Sequence, residues 1–195
     1  MPDSFQVFLS HAEEDRRLVT RVWRVLRRLK VRSYMHERYP NYGRDIPTAI
    51  RDVLESESCV MCIAFLTRNG INSQWVQQEL GIAYAFGRII IPVKQKEVEY
   101  KGFVQMVAAI PYQPRSPDGM VHGVIYAVRS HIIKTWGAVK GGLALTCPSG
   151  HDHDYTLPSN TEINRWIESR KNIVFTCPKC KEKIRVSSRT LEILP

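Results

Sequence analysis

Ser58-Cys-Val-Met-Cys-Ile-Ala-Phe-Leu66 is apolar throughout once past its serine. A strand with one wetted face alternates polar and apolar side chains. An unbroken run of this length therefore reads as a central parallel strand covered on both faces. Working outward, Phe5–Leu9 is a shorter run of the same kind, Val31–Met35 reads as a second strand, and Ile89-Ile90-Ile91-Pro92-Val93 as another buried one. Between the first two, Leu18, Val22, Val25, Leu26 and Leu29 recur at helical spacing and predict one buried stripe. Ser10-His11-Ala12-Glu13 matches the S-x-x-E capping box, which predicts the helix start there. Acids Glu13, Glu14 and Asp15 then fill the first turn, where the helix dipole favours them. A loop from Glu37 to Asp45 follows, and Asp45 is expected to cap a helix through Ile46, Ile50, Val53 and Leu54. Asn72-Ser73 caps a further helix carrying Trp75, Glu79, Leu80, Ala83 and Phe86, which Gly87 ends. Residues 94–117 are less regular, with Pro111, Pro114 and Pro117, and Asp118–Trp136 is helical again. Alternating strands and helices predict an α/β fold, a doubly wound parallel sheet with helices on both faces. Ligands bind where such strands end, so the loops after Leu9, Met35 and Leu66 are the candidate floor of a site.

Composition narrows the function classes. Of 195 residues, 44% are hydrophobic and 24% charged, which excludes a disordered or fibrous chain. The longest apolar runs are less than half of a membrane span, so no transmembrane helix and no membrane partner are expected. The first residues carry an acid where a secretion signal carries bases. The five cysteines are an odd set with uneven spacing, which points to a reducing, cytoplasmic setting in which thiols are free or bind metal. The net charge is +9, and its densest cluster is Arg16, Arg17, Arg21, Arg24, Arg27, Arg28, Lys30 and Arg32. A solvated helix face is the plain reading. A nucleic-acid footprint, or attraction of an anionic dinucleotide, is the functional one. Aromatic residues are not interleaved with these bases, which counts against single-strand binding.

Glycines at 137, 141 and 142 mark a boundary, dividing the chain into a domain over 1–136, a Gly-rich linker over 137–142 and a small unit over 143–195. That unit holds Cys147-Pro-Ser-Gly-His151 and Cys177-Pro-Lys-Cys180, two knuckles of the kind a zinc ribbon brings together in one tetrahedral site. The expected ligands are Cys147, His151, Cys177 and Cys180, with His153 as the rival histidine. About 50 residues supply little core, so a structural Zn²⁺ has a physical motive. Short strands are expected at Gly142–Thr146, Asn172–Thr176 and Ile184–Ser187, with a helix over Thr161–Ser169. Cys59 and Cys62 also form a C-x-x-C, but inside an apolar strand, where they read as small hydrophobes facing the core.

Several segments together resemble Toll/interleukin-1 receptor (TIR) domains. Phe8-Leu9-Ser10-His11-Ala12-Glu13-Glu14-Asp15 resembles the family's first conserved box. Tyr42-Gly43-Arg44-Asp45-Ile46 resembles the end of the loop after its second strand. Ser73-Gln74-Trp75-Val76-Gln77-Gln78-Glu79-Leu80 resembles its S-x-W-x-x-x-E helix, and Ile89–Val93 its next strand. The match covers roughly residues 4–136, and its specificity lies in order and spacing. It implies a flavodoxin-like sheet, to which the zinc-ribbon-like unit is appended. Trp75 and Glu79, four residues apart, share one helix face. In the microbial NAD-consuming members this glutamate is catalytic, so the resemblance implies Glu79 as the catalytic carboxylate and NAD+ as substrate. The products would be nicotinamide with ADP-ribose or a cyclic ADP-ribose isomer, and both outcomes stay open. The same resemblance implies that Ser10, His11, Trp75, Tyr42, Gly43 and Arg44 surround the substrate. It also implies that the 42–44 loop meets a neighbouring protomer in self-association, and that the setting is antiviral immune signalling. Each residue has a plainer reading: an N-cap for Ser10, a surface histidine for His11, core for Trp75, a solvated charge for Glu79 and loop residues at 42–44. A non-catalytic assembly module and a nucleic-acid binder are the rival functions.

Overall fold

The computed structural model describes residues 5–36, 46–100, 102–136 and 142–195. Its axis is β3 (Cys59–Leu66), buried at every position but the half-buried Val60. β3 pairs in parallel with β1 (Gln6–Ser10) on one side and β4 (Ile89–Gln95) on the other. β2 (Arg32–Met35) extends the sheet beyond β1, and β5 (Ile110–Tyr112) extends it beyond β4. The order β2-β1-β3-β4-β5, all parallel, is the flavodoxin-like arrangement. β5 lies in the stretch expected to be less regular. Its Pro111 has no N–H to give a ladder, which an edge strand tolerates.

Alternation along the strands splits the core in two. Val7, Leu9, Met61, Ile63 and Phe65 face α1 (Arg16–Arg28) and α5 (Asp118–Trp136), which contribute Val19, Val22, Val25 and Leu26, and Met120, Val121, Val124 and Val128. Phe8, Cys59 and Cys62 face the other way, against Ile50 and Leu54 of α2 (Ile46–Glu55) and Ala83 of α4 (Gln74–Ala85). Val76 and Leu80 of α4 also cover Ala64 and Leu66. The α1 stripe is rotated slightly from expectation, with Val19 fully buried and Leu18 and Leu29 half-buried. A short helix absent from the sequence reading, α3 (Arg68–Asn72), leads into α4, and five residues are too few to show a helical period. Thr67 caps it by accepting from the Gly70 amide at 3.0 Å.

Beyond residue 142 the chain forms two antiparallel hairpins. β6 (Gly142–Thr146) pairs with β7 (Asp152–Thr156), and β8 (Ile173–Thr176) pairs with β9 (Lys183–Val186). Between them lies α6 (Asn160–Glu168), started by a Ser159–Glu162 capping box. β7 escaped the sequence reading because Asp152-His153-Asp154-Tyr155-Thr156 has no apolar run; its outward positions are exposed and its inward ones only half-buried. The unit docks on the sheet's helices. Leu143 and Leu145 join the same buried cluster as the α1 and α5 side chains. Arg21 donates to Glu192 at 2.8 and 2.7 Å and to Asp118 at 2.7 Å, Lys30 pairs with Asp154, and Arg129 donates to the Pro158 carbonyl at 2.8 Å. The hydrogen bonds from Arg21 hold the Glu192 carboxyl below the usual carboxylate range. No helix among the described residues is long and apolar enough to cross a membrane.

Candidate functional site

β1 ends at Ser10 on the C-terminal edge of the sheet, next to the point where the strand order reverses. This is where an open α/β sheet leaves its crevice. Ser10 is fully buried, and its hydroxyl donates to Oε2 of Glu79 at 2.5 Å. The glutamate gets there through helical spacing. Val76, Leu80 and Ala83 form the buried stripe of α4, and Glu79 lies within that stripe, only 4% exposed. A carboxylate at such a position needs polar partners, and the serine at the strand end is one.

That contact corrects the capping expectation. Ser10 does not start the first helix. It stays in β1, in register with Ala64, and its hydroxyl crosses to α4. The chain instead makes a short 3₁₀ turn over Glu13–Asp15, and α1 begins after Asp15, whose side chain makes no capping hydrogen bond. Asp15 accepts from Thr67 at 2.5 Å and from Asn69 at 3.1 Å, tying the turn after β1 to the turn after β3.

Trp75 is half-buried and packs against the Phe8, Ile50 and Leu54 cluster, so its ring props the face that presents Glu79. His11 is half-buried and its Nδ1 lies 3.0 Å from the Leu9 carbonyl, which ties the ring to its own strand end. Burial lowers its pKa. Tyr42, Gly43 and Arg44, and the expected Asp45 cap, lie outside the described residues. Tyr34, near the end of β2, was not singled out in the sequence. Its ring stacks on Phe8 at 5.5 Å, and burial, with the charge of Glu79 second, raises its phenol pKa. The signal that would have found it is its place at the third strand end on this edge. Beneath the pair, Cys62 is fully buried. Burial pushes its thiol well above the usual range, with Glu79 and Cys59 adding to the effect, so the C-x-x-C is a packed pair of hydrophobes. The arrangement presents a desolvated carboxylate, oriented by a hydroxyl, at the edge where open α/β sheets generally bind ligands. Such a group can stabilise positive charge that develops on a bound molecule.

A second cluster lies in the C-terminal unit. The donor atoms of Cys147, His151, Cys177 and Cys180 all fall within 4.8 Å of one another. Cys147 Sγ is 3.6 Å from Cys180 Sγ and 3.5 Å from His151 Nδ1, which is 3.9 Å from Cys177 Sγ. Bonds of about 2.3 Å to sulfur and about 2.0 Å to nitrogen give a tetrahedral ion edges of about 3.8 Å and 3.5 Å. The donor set therefore fits one closed four-coordinate ion. Gly150 makes the first knuckle possible: at φ +81° it turns the chain so that its amide meets the Cys147 carbonyl at 2.8 Å. The His151 amide then donates to Cys147 Sγ at 3.3 Å. The rival His153 sits within β7 opposite Leu145 and is outside the donor group.

The basic cluster on α1 also differs from expectation. Trp23 lies among the arginines, and the Arg27 guanidinium stands 5.4 Å from its ring centroid. An aromatic ring is therefore interleaved with these bases.

Residues 7–115 match the family model described as the TIR domain. The comparison with curated proteins returns no match. Among solved structures, the TIR domain of the Toll-related receptor TRR-2 from Hydra magnipapillata superposes with a TM-score of 0.52 at 20% identity, covering 66% of this chain and 98% of that one. The CMP N-glycosidase BcmB of Clostridium botulinum gives 0.43 at 17% identity, covering 62% and 98%. The TIR domains of the activated Roq1 resistosome, which recognises the pathogen effector XopQ, give 0.42 at 18% identity, covering 68% and 72%. Likeness at these identities is one of fold. The family model spans more than half of the chain, from β1 to just past β5. The chain belongs to the TIR domain family.

Proposed function

We propose that the chain is an NAD+ nucleosidase that breaks the nicotinamide–ribose bond with Glu79 as its catalytic carboxylate. The observation that carries this reading is the buried Ser10–Glu79 hydrogen bond at the C-terminal edge, on the helix that bears the W-x-x-x-E motif. Nicotinamide departs as a neutral molecule, taking the electron pair of the C–N bond, so no general acid is needed. The ribose passes through an oxocarbenium-like state, whose charge a carboxylate stabilises. Water then attacks the anomeric carbon and loses a proton, giving ADP-ribose. Attack by a nucleophile of the same molecule gives a cyclic isomer instead. Ser10 holds the carboxylate in one orientation, Trp75 supports its helix, and His11 and the 42–44 loop border the substrate. In the same reading the chain assembles through TIR–TIR contacts in the cytoplasm and consumes NAD+ in antiviral defence. The unit over 143–195 is a separate zinc-ribbon-like domain in which Cys147, His151, Cys177 and Cys180 hold a structural Zn²⁺. Four protein ligands close that site and leave no open position for chemistry.

The test is to incubate the purified full chain with NAD+ over a range of protein concentrations and quantify nicotinamide and the ribosyl products. Wild-type protein releases nicotinamide, more than linearly with concentration. Glu79→Gln keeps an acceptor for the Ser10 hydroxyl and should retain the wild-type circular dichroism spectrum, while release falls by about a thousandfold. Equal turnover by the variant, or no release by wild type at any concentration, overturns the reading.

A further inference from the structure

A cleft of about 820 Å³ opens between α1 and the β6–β7 hairpin. Trp23, Arg24, Arg27 and Arg28 form one wall, because the buried stripe Val19, Val22, Val25 and Leu26 turns this face of the helix outward. The other wall includes Asp152, His153 and Asp154. The two walls differ in how far their polar groups are already satisfied. Asp154 is paired with Lys30, and Asp152 accepts from Thr146 at 2.5 Å. Arg28 donates to the Leu191 carbonyl at 3.4 Å, and its charge also acts on Glu192, which Arg21 already holds. Arg24 and Arg27 meet no carboxylate among the described residues, unlike Arg21 on the same helix, which has two. His153 Nε2 is sealed from solvent with no hydrogen-bond partner among the described residues.

Three guanidinium groups in one cleft repel each other unless an anion joins them. Their forked donors match phosphate oxygens. Trp23 adds a flat ring of the kind on which a nucleobase stacks. The carboxylates across the cleft suit hydroxyl or amino groups of a sugar or base, and they oppose a phosphate backbone running past them. The cleft lies within the range of about 300–1,000 Å³ usual for small-molecule sites. We propose that it is a second ligand site, for a small phosphorylated nucleotide, formed jointly by the first TIR helix and the C-terminal hairpin. It shares no residue with the Ser10–Glu79 edge and does not depend on NAD+ cleavage. Because each wall belongs to a different unit, an occupant fastens the hairpin to α1.

The experiment is titration calorimetry with ADP on the full chain carrying Glu79→Gln, so that turnover neither helps nor hinders the reading. ADP binds, and more weakly as salt rises. The double variant Arg24→Ala/Arg27→Ala lowers the ADP affinity by about tenfold or more, and Trp23→Ala weakens it as well. Arg24→Lys/Arg27→Lys, which keeps the charge and loses the fork, falls between. Circular dichroism verifies that all of these variants remain folded, the arginine ones being altered at exposed positions and Trp23→Ala at a half-buried one. Inorganic phosphate competes only weakly, and a single-stranded oligonucleotide binds no tighter than ADP. Absence of ADP binding, or wild-type affinity in the double alanine variant, overturns the proposal. Tighter oligonucleotide binding with a steeper salt dependence overturns it in favour of a polynucleotide surface.

Discussion

Ser10 and Glu79 stand 69 positions apart and meet at 2.5 Å with both side chains buried. Removing the hydroxyl leaves a buried carboxylate oxygen short of a donor. An unmet buried acceptor costs about 1–3 kcal/mol, more when charged. Ser10→Ala is therefore expected to lower the melting temperature and to reduce nicotinamide release, though less than Glu79→Gln does. Ser10→Thr keeps a donor and should recover part of both. Thermal unfolding and product assays check this, and a serine-free variant with wild-type stability and turnover would remove the positioning role. In the sequence, Ser10 followed by Glu13 is a well-formed capping box, yet the glutamate that matters to it is Glu79. Local spacing exposes only partners within a turn or two, and a contact between a strand end and a distant helix carries no spacing to read.

At the scale of elements, the β3–α3 turn is the most tightly constrained. A Cβ on Gly70 would stand 2.0 Å from the Phe65 carbonyl oxygen, which belongs to the central strand and has no room to give. Gly70→Ala is expected to destabilise the protein by about 1–3 kcal/mol, as overpacking does. Gly81, on the exposed side of α4, meets nothing within 4 Å, so Gly81→Ala should be neutral or stabilising by up to about 1 kcal/mol. Melting curves of the two variants side by side separate steric from conformational effects, and equal shifts would contradict the close approach. The long elements β3, β4, α4 and α5 were legible because each buries a sustained apolar period. α3, β5 and β7 were not: they are three to five residues long, and their register comes from neighbours.

At the scale of the molecule, the C-terminal unit has two supports, its Cys/His cluster and its docking on α1 and α5. One zinc per chain is expected by metal analysis of reduced protein. Metal ligation supplies folding free energy directly, so chelation, or Cys177→Ser, should speed proteolysis beyond Leu143. A division into independent units at the 137–142 linker would leave the TIR portion indifferent to this. The buried cluster, however, runs from Val19, Val22 and Val124 to Leu143 and Leu145 without a break. Loosening the unit uncovers apolar surface on α1 and α5, and the sheet's own melting temperature should fall with it. Absence of zinc, or an unchanged proteolysis pattern after chelation, would refute the metal support. An unchanged melting temperature would refute the coupling.

Legible in the sequence alone were the parallel sheet, the two-sided cover and the three cysteines of the C-terminal cluster. All three are written in local periods and short spacings: apolar runs without alternation, helical stripes, and knuckles of four and five residues. The tertiary structure was needed to show that Ser10 serves Glu79 rather than a helix start, that His151 rather than His153 faces the cysteines, and that Trp23 and the arginines beside it in the chain lie across from an acidic hairpin. Each of these depends on how a strand, a helix and a hairpin from distant parts of the chain come to lie against one another. That is set by burying side chains from all of them at once, and no local pattern of residues records it.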